Sequence, residues 1–268
     1  MHMKSDSRLS ARDYILRLAA SGHYHFSSSE AQVALGVSVD AAKLALNRLT
    51  NQGLLASPAR GFYVIVSPEY RSLGCLPADQ FIPALMKRLG MSYYTGLLSA
   101  AQYHGAAHHR PQEYQLMVAK PRRPIVCGAV RVAFAVRKNI SAIPKQSFNT
   151  PRGTVLVSTP EATAIDLVGY YNNVGGLDQV ATILSELAET FDPDKLVAAA
   201  QTAPVSWAQR LGYLLETVEA GTRAQALKSY VRAHARQATL LLPTAPDKGS
   251  RRNEDWKLDI NADVEAEQ

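Results

Sequence analysis

The chain has 268 residues, 47% of them hydrophobic and 19% charged, and carries a formal net charge of +6. That length and apolar content suffice for two domains with separate cores, and the basic balance favours a polyanionic partner. No apolar run approaches the ~18 residues of a membrane span and no signal peptide is visible, so a cytoplasmic protein without a membrane partner is expected. Cys75 and Cys127 stand alone, without CxxC spacing, which argues against a zinc site or a disulfide framework and for buried reduced thiols.

Residues 10–21 have the spacing of an amphipathic helix with Ile15, Leu16, Leu18 and Ala19 inward. Ser27-Ser28-Ser29-Glu30 then reads as a capping box, in which the Ser27 hydroxyl and the Glu30 carboxylate each accept the other residue's backbone N–H. A short helix should start near Ser28 and stop at Gly36, which reaches the left-handed conformation without penalty. Ser38 caps a second helix with Asp40 in its first turn, where the macrodipole favours an anion. Ala42, Ala45, Leu46 and Leu49 share one face of it, and Lys43, Asn47, Arg48 and Asn51 point the other way.

After Gly53, Leu54-Leu55, a tip of Ser57-Pro58-Ala59-Arg60-Gly61, and Phe62-Tyr63-Val64-Ile65-Val66 read as a hairpin with one basic residue at its tip. Helix, glycine turn, helix and wing form a winged helix-turn-helix over residues 1–70. Arg reads guanine edges and Asn adenine edges, so the outer face suits a major-groove reading head. The candidate DNA-binding residues are Ser28, Ser38, Lys43, Asn47, Arg48, Asn51 and Arg60. Up to Val66 the basic residues number seven (Lys4 and Arg8 among them) against four acids.

Residues 67–77 read as a linker punctuated by Pro68, Gly74 and Pro77. A second domain, residues 78–247, should open with a helix over 81–89 and a small-residue helix over 96–104 with Leu97, Leu98 and Ala101 inward. Period-two alternation predicts strands at 114–119, 130–136 and 155–157, pairing as a small, mostly antiparallel sheet. On the second strand Val130, Val132, Phe134 and Val136 should face the core, and Arg131 and Arg137 water. Residues 110–152 hold nine basic residues, including Arg110, Lys120, Arg122, Arg123, Arg131, Arg137 and Lys138, against Glu113 alone. This stripe reads either as a second nucleic-acid contact or as a solvated sheet face.

Residues 153–222 reverse the balance, with nine acids against Lys195 and Arg210. Thr159-Pro160 and Asp192-Pro193 each start a helix. Leu177 to Leu187 and Leu211 to Val218 continue the helical pattern, and Thr222 should cap a last basic helix. Residues 238–242 could return as a strand. Residues 248–268 read as a charged, acidic tail, mobile or serving as a docking segment. The fold class expected is therefore α+β, a winged helix followed by a larger domain of several packed helices around a small sheet.

Residues for catalysis are hard to find. His104, His108 and His109 cluster, but Gly105 breaks the helix between them and no carboxylate or thiolate completes a tetrahedral set, so a polar loop is preferred to a metal site. Val118 stands where a restriction-type nuclease would need an acid two residues before Lys120, and no glycine-rich phosphate loop precedes a helix. Asp166 is alone in its helix and reads as a cap or salt-bridge partner. No catalytic residue, metal or cofactor is expected.

Taken in order, the winged helix ending Arg60-Gly61-Phe62-Tyr63, SYYTGLLSAAQYHG (92–105), STPEATAIDLV (158–168) and RLGYLLE (210–216) resemble the AbiEi family of bacterial antitoxins, the regulator half of AbiE-type (type IV) toxin-antitoxin pairs. The resemblance runs over residues 27–242. It implies a non-enzymatic protein whose winged helix binds inverted repeats in its own promoter and represses the operon. Its C-terminal domain would counteract an AbiEii-like nucleotidyltransferase toxin without a stable complex. By position, Lys43, Asn47 and Arg48 would lie in the recognition helix and Arg60 at the wing tip. Operator symmetry leads one to expect a dimer on the DNA. The alternative is a winged-helix adaptor whose basic C-terminal sheet binds RNA or a protein.

Overall fold

The computed structural model describes residues 9–106 and 112–266, so Lys4, Arg8, His108, His109 and Arg110 lie outside the described residues. The chain divides into two compact units, one of Met1–Ser92, Arg122–Phe134 and Asn149–Val155, the other of Tyr93–Pro121, Ala135–Phe148 and Leu156–Gln268. The linker expected at 67–77 does not mark this division. Pro68–Leu73 forms a 3-10 turn, and Cys75, Leu76 and the following helix pack into the first unit.

The first unit opens with α1 (Ala11–Ala20), β1 (His25–Ser27), α2 (Ser28–Leu35), α3 (Val39–Asn51) and the hairpin β2 (Leu55–Ala59) and β3 (Phe62–Ile65). The sheet order is β1-β3-β2, with both pairings antiparallel. These elements form an N-terminal helical domain with a small antiparallel sheet. Its core gathers Tyr14, Ile15, Phe26, Ala31, Leu35, Leu46, Leu49, Leu55 and Ile65. Tyr14 takes the inward place expected of Leu16, which is exposed. Edge-on packing of the Tyr14 ring against Phe26 accounts for the exchange. α4 (Ala78–Leu89) completes the helices of this unit.

In the second unit, β4 (Tyr93–Thr95) leads into α5 (Leu97–Tyr103) and β5 (Tyr114–Val118). The next strands are β6 (Ile125–Cys127), β7 (Val130–Val136), β8 (Lys145–Thr150) and β9 (Gly153–Ser158). β4 pairs antiparallel with β5 and parallel with β9, and within the first unit β6 pairs antiparallel with β7. Among β4 to β9, three strands escaped the sequence reading because β4 and β6 are only three residues long, too short to show a period, and β8 is polar and half exposed.

Five helices follow: α6 (Pro160–Gly169), α7 (Leu177–Leu187), α8 (Pro193–Ala200), α9 (Val205–Thr217) and α10 (Gln225–His234). Every residue of α6 from Glu161 to Val168 is buried, because α5, α7, α8 and α9 all pack on it. A helix buried on all sides can only be a central one. Thr159 and Asp192 cap α6 and α8 as expected, but Thr222 lies in a 3-10 turn and α10 starts after it without a side-chain cap.

The segment expected to be an acidic tail, mobile or serving as a docking segment, packs into the core through Trp256 and Leu258. β10 (Thr239–Leu240) runs parallel to β12 (Leu258–Ile260), which pairs antiparallel with β11 (Arg251–Asn253). Trp256 and Leu258 are fully buried, and Asp255 is held by Lys228 at 2.9 Å and Arg232 at 2.8 Å. The Trp256 ring explains Gly212 in the RLGYLLE motif, since a Cβ there would stand 2.0 Å from it. One buried indole outweighs the charge around it, which is why the composition of this segment misled.

Candidate nucleic-acid interface

The capping box that starts α2 is complete. Glu30 N–H donates to Ser27 Oγ at 3.1 Å, and Ser27 N–H donates to Glu30 Oε2 at 2.6 Å. Ser27→Ala is expected to cost about 1 kcal/mol in urea unfolding. The bond from the Ser27 backbone, then that from its hydroxyl, holds the Glu30 carboxyl below the usual carboxylate range. A depressed folded-state pKa stabilises above the unfolded pKa and is lost as pH falls through the folded one. The stability gap between the parent and Glu30→Gln should therefore be full at neutral pH and close in acid, as paired urea titrations would read.

Gly36 ends α2 at φ 59°, and Ser38 Oγ caps α3 by accepting Ala41 N–H at 3.3 Å. Ala42, Leu46 and Leu49 anchor α3, which leaves Lys43, Asn47, Arg48 and Asn51 exposed on its outer side. Val39 and Leu44 also point outward, 65% and 59% exposed, and the sequence reading had passed over both. Arg60 and Gly61 make the two-residue turn of the wing, with Ala59 opposite Phe62. Ser28 N–H donates to the Gly61 carbonyl at 3.1 Å, so the wing tip is fastened to the first turn of α2. Ser28 and Arg60, far apart in the chain, thus stand together, and both are exposed, as is Ser38.

The basic run of residues 110–152 behaves differently. Lys120, Arg123, Arg131 and Lys138 are exposed, but Lys120 and Lys138 belong to one compact unit and Arg123 and Arg131 to the other. The Arg122 guanidinium lies 5.5 Å from the Phe134 ring centroid, and that of Arg152 lies 3.3 Å from the Tyr24 ring while donating to Ser67 Oγ at 2.6 Å. Arg137, expected on a wet face, is only 4% exposed. Its Nε donates to Asp166 Oδ1 at 2.9 Å, its Nη2 to the Thr202 carbonyl at 3.1 Å, and its guanidinium lies 5.0 Å from the Trp207 ring.

Tyr94 Oη donates to the other Asp166 oxygen at 2.5 Å. Burial, then the neighbouring Asp166 charge, pushes the Tyr94 hydroxyl far above its usual pKa, so it stays a donor. Burial also raises the Asp166 carboxyl, opposed by Arg137. Asp166, the second of two acids in α6 after Glu161, is therefore a salt-bridge partner, as expected. An acid in the middle of a helix buried on all sides requires a buried cation, and that requirement was the available signal for Arg137.

His104 closes α5, its Nε2 bonded to the Ser158 carbonyl at 2.7 Å, and burial lowers its pKa. Among the described residues no three His, Cys, Asp or Glu side chains converge as metal ligands, and no helix is long and apolar enough to cross a membrane.

Comparison with solved structures places the fold beside the crystal structure of the RV2827C protein from Mycobacterium tuberculosis, with a TM-score of 0.68 and 17% identity over 93% of this chain and 90% of that one. At that identity the likeness is one of fold. An antigenic nucleotidyltransferase-like protein from Paracoccidioides brasiliensis is more distant, with a TM-score of 0.35 and 11% identity over 56% of this chain and 90% of that one. No curated protein sequence matches the chain. Residues 94–217, from the Tyr94 that bonds Asp166 to the end of α9, match the model of the AbiEi antitoxin C-terminal domain, a regulatory family. Over these residues the chain is therefore similar to the C-terminal domain of AbiEi antitoxins.

Proposed function

We propose that the protein is the antitoxin and autorepressor of its own operon. The winged helix binds inverted repeats in the promoter, and the domain around α6 counteracts an AbiEii-like nucleotidyltransferase toxin without a stable complex. The observation that carries the DNA-binding half is the outward face of α3, where Lys43, Asn47, Arg48 and Asn51 are all free of the core, with Arg60 presented at a wing tip tied to α2. Arg and Asn suit guanine and adenine edges, and the exposed Val39 and Leu44 suit thymine methyl groups. Ser28 and Ser38, at helix N-termini, suit phosphate. Two copies on a palindrome match the symmetry of inverted repeats.

The adaptor alternative relied on a basic C-terminal sheet, and the burial of Arg137 against Asp166 takes one cation from that surface. Lys120, Arg122, Arg123, Arg131 and Lys138 remain candidates for a phosphate or antitoxicity contact.

Fluorescence anisotropy against the protein's own upstream duplex and a scrambled one, across a salt series, tests the reading. A preference of ~10³-fold or more that survives physiological salt supports it. Equal, steeply salt-dependent binding to both duplexes overturns it. Arg60→Ala should weaken both duplexes alike and lower the salt slope by about one, the signature of a phosphate contact.

A further inference from the structure

Cys75 and Cys127 are both buried, both free, and take no part in the interface described above. The backbone sets them face to face. Ala129 N–H donates to the Leu73 carbonyl at 2.7 Å, and a Cβ added at Gly74 would stand 3.3 Å from the Gly128 Cα. Residues 73 and 129, then 74 and 128, are antiparallel neighbours, and the next pair in that register is Cys75 with Cys127. The approach is so close that a Cβ at Gly128 would lie 2.1 Å from the Leu73 carbonyl oxygen. Glycine alone fits there, at φ 59°. Directly opposed residues of antiparallel chains have Cα atoms about 4.5–5.5 Å apart, within the about 4.4–6.8 Å that a disulfide spans. Bridging the two sulfurs thus needs side-chain rotation and little backbone movement.

The thiols are not equivalent. The Cys75 and Cys127 side chains act on each other, and the backbone N–H of Ser57 in β2 acts on the Cys127 sulfur. The hydrogen bond between the two side chains, with help from Ser57, holds the Cys127 thiol below its usual pKa despite burial, and the same bond plus burial pushes Cys75 up. Cys127 also keeps 7% exposure where Cys75 has none. A thiol that ionises more readily and touches solvent, with a second thiol against it, has the arrangement of an attacking and a resolving cysteine.

We infer that Cys75 and Cys127 form a reversible, peroxide-responsive disulfide whose state sets the order of the wing. The Cys127 thiolate attacks one oxygen of hydrogen peroxide; the O–O bond breaks, and the departing hydroxide takes up the proton Cys127 released, leaving as water. The Cys75 sulfur then attacks the resulting sulfenic acid; an S–S bond forms, the S–OH bond breaks, and the hydroxide leaves as water with the Cys75 proton. Two thiols lose two electrons and two hydrogens, and one peroxide becomes two waters. Ser57 sits at the β-bulge between Ala56 and Ala59. Drawing the Cys127 sulfur from contact to bonding distance of Cys75 weakens its hold on Ser57 N–H and so loosens β2, which packs beside β6. Any effect on Arg60 and its phosphate rests on the DNA-binding reading above, whereas the disulfide and the wing do not.

The test treats the full chain with hydrogen peroxide and reads intact mass, a peptide map and amide exchange. The expected result is a mass loss of about 2 Da, a cross-linked Cys75–Cys127 peptide and exchange over residues 55–65 at least about threefold faster, all reversed by dithiothreitol. Cys75→Ser and Cys127→Ser should show none of these, and the parent's mass and map need no variant. Two surviving thiols, a sulfinic acid at Cys127, or a disulfide with unchanged wing exchange would overturn the inference. Duplex affinity on the same samples separates the two readings. An unchanged affinity beside a formed disulfide and a loosened wing leaves this inference standing and removes the wing from the DNA interface.

Discussion

Replacing Lys43, Asn47 and Arg48 together with alanine is expected to abolish the preference for the protein's own upstream DNA. A loss of ~10³-fold corresponds to about 4 kcal/mol, consistent with about 1–3 kcal/mol for each side chain that reaches a base edge. The three residues lie on the outer side of α3, while Ala42, Leu46 and Leu49 hold the helix to the core from the inner side. Their removal therefore leaves packing untouched, and the variant should unfold at the parent's urea midpoint. Anisotropy against cognate and scrambled duplexes decides the matter. A variant that still prefers the cognate duplex as the parent does would show that α3 is not the reading head.

Asp166→Ala is expected to cost about 3–5 kcal/mol, because it strands the buried Arg137 guanidinium without its counter-charge. The pair lies at 2.9 Å with side-chain exposures of 4% and 0%, so water cannot replace the lost carboxylate. Tyr94 Oη loses its acceptor as well. Exchanging both charges, as in Arg137→Met with Asp166→Leu, should recover most of the loss, since paired burial contributes little net stability over apolar packing. Urea unfolding of the single and double variants measures the coupling. Equal losses in both would mean that the cost comes from cavity formation. Because α6 lies at the centre of the domain, the single variant should also lower toxin neutralisation in cells, in step with its stability.

Local chemistry made much of this protein legible in its sequence. The capping box at Ser27, the stop at Gly36 and the cap at Ser38 each depend on a few adjacent residues, and all three are where the sequence places them, while the tip expected over 57–61 narrows to Arg60-Gly61 because β2 runs to Ala59. The caps of α6 and α8 follow the same logic. The outer face of α3 could be read because helical periodicity separates Lys43, Asn47 and Arg48 from Leu46 and Leu49 without reference to the rest of the chain.

What escaped the sequence depends on partners distant in the chain. Alternation along β7 put Arg137 on a wet face, but the strand's period says nothing about Asp166 on α6, whose charge draws the guanidinium inside. The acidic composition after Asp247 suggested a mobile tail, and only the slot left by Gly212 for the Trp256 ring makes that segment part of the core. Two cysteines without a spacing motif read as unrelated thiols until the antiparallel approach of 73–75 and 127–129 sets them opposite each other. The sequence by itself determined most of the helices, most of their caps and the polar outer face of α3, because those rest on neighbours within a turn or two. Tertiary structure alone decided which charges are buried, where the chain's end packs and which sulfurs meet, because each of these is settled by desolvation or close contact between distant segments.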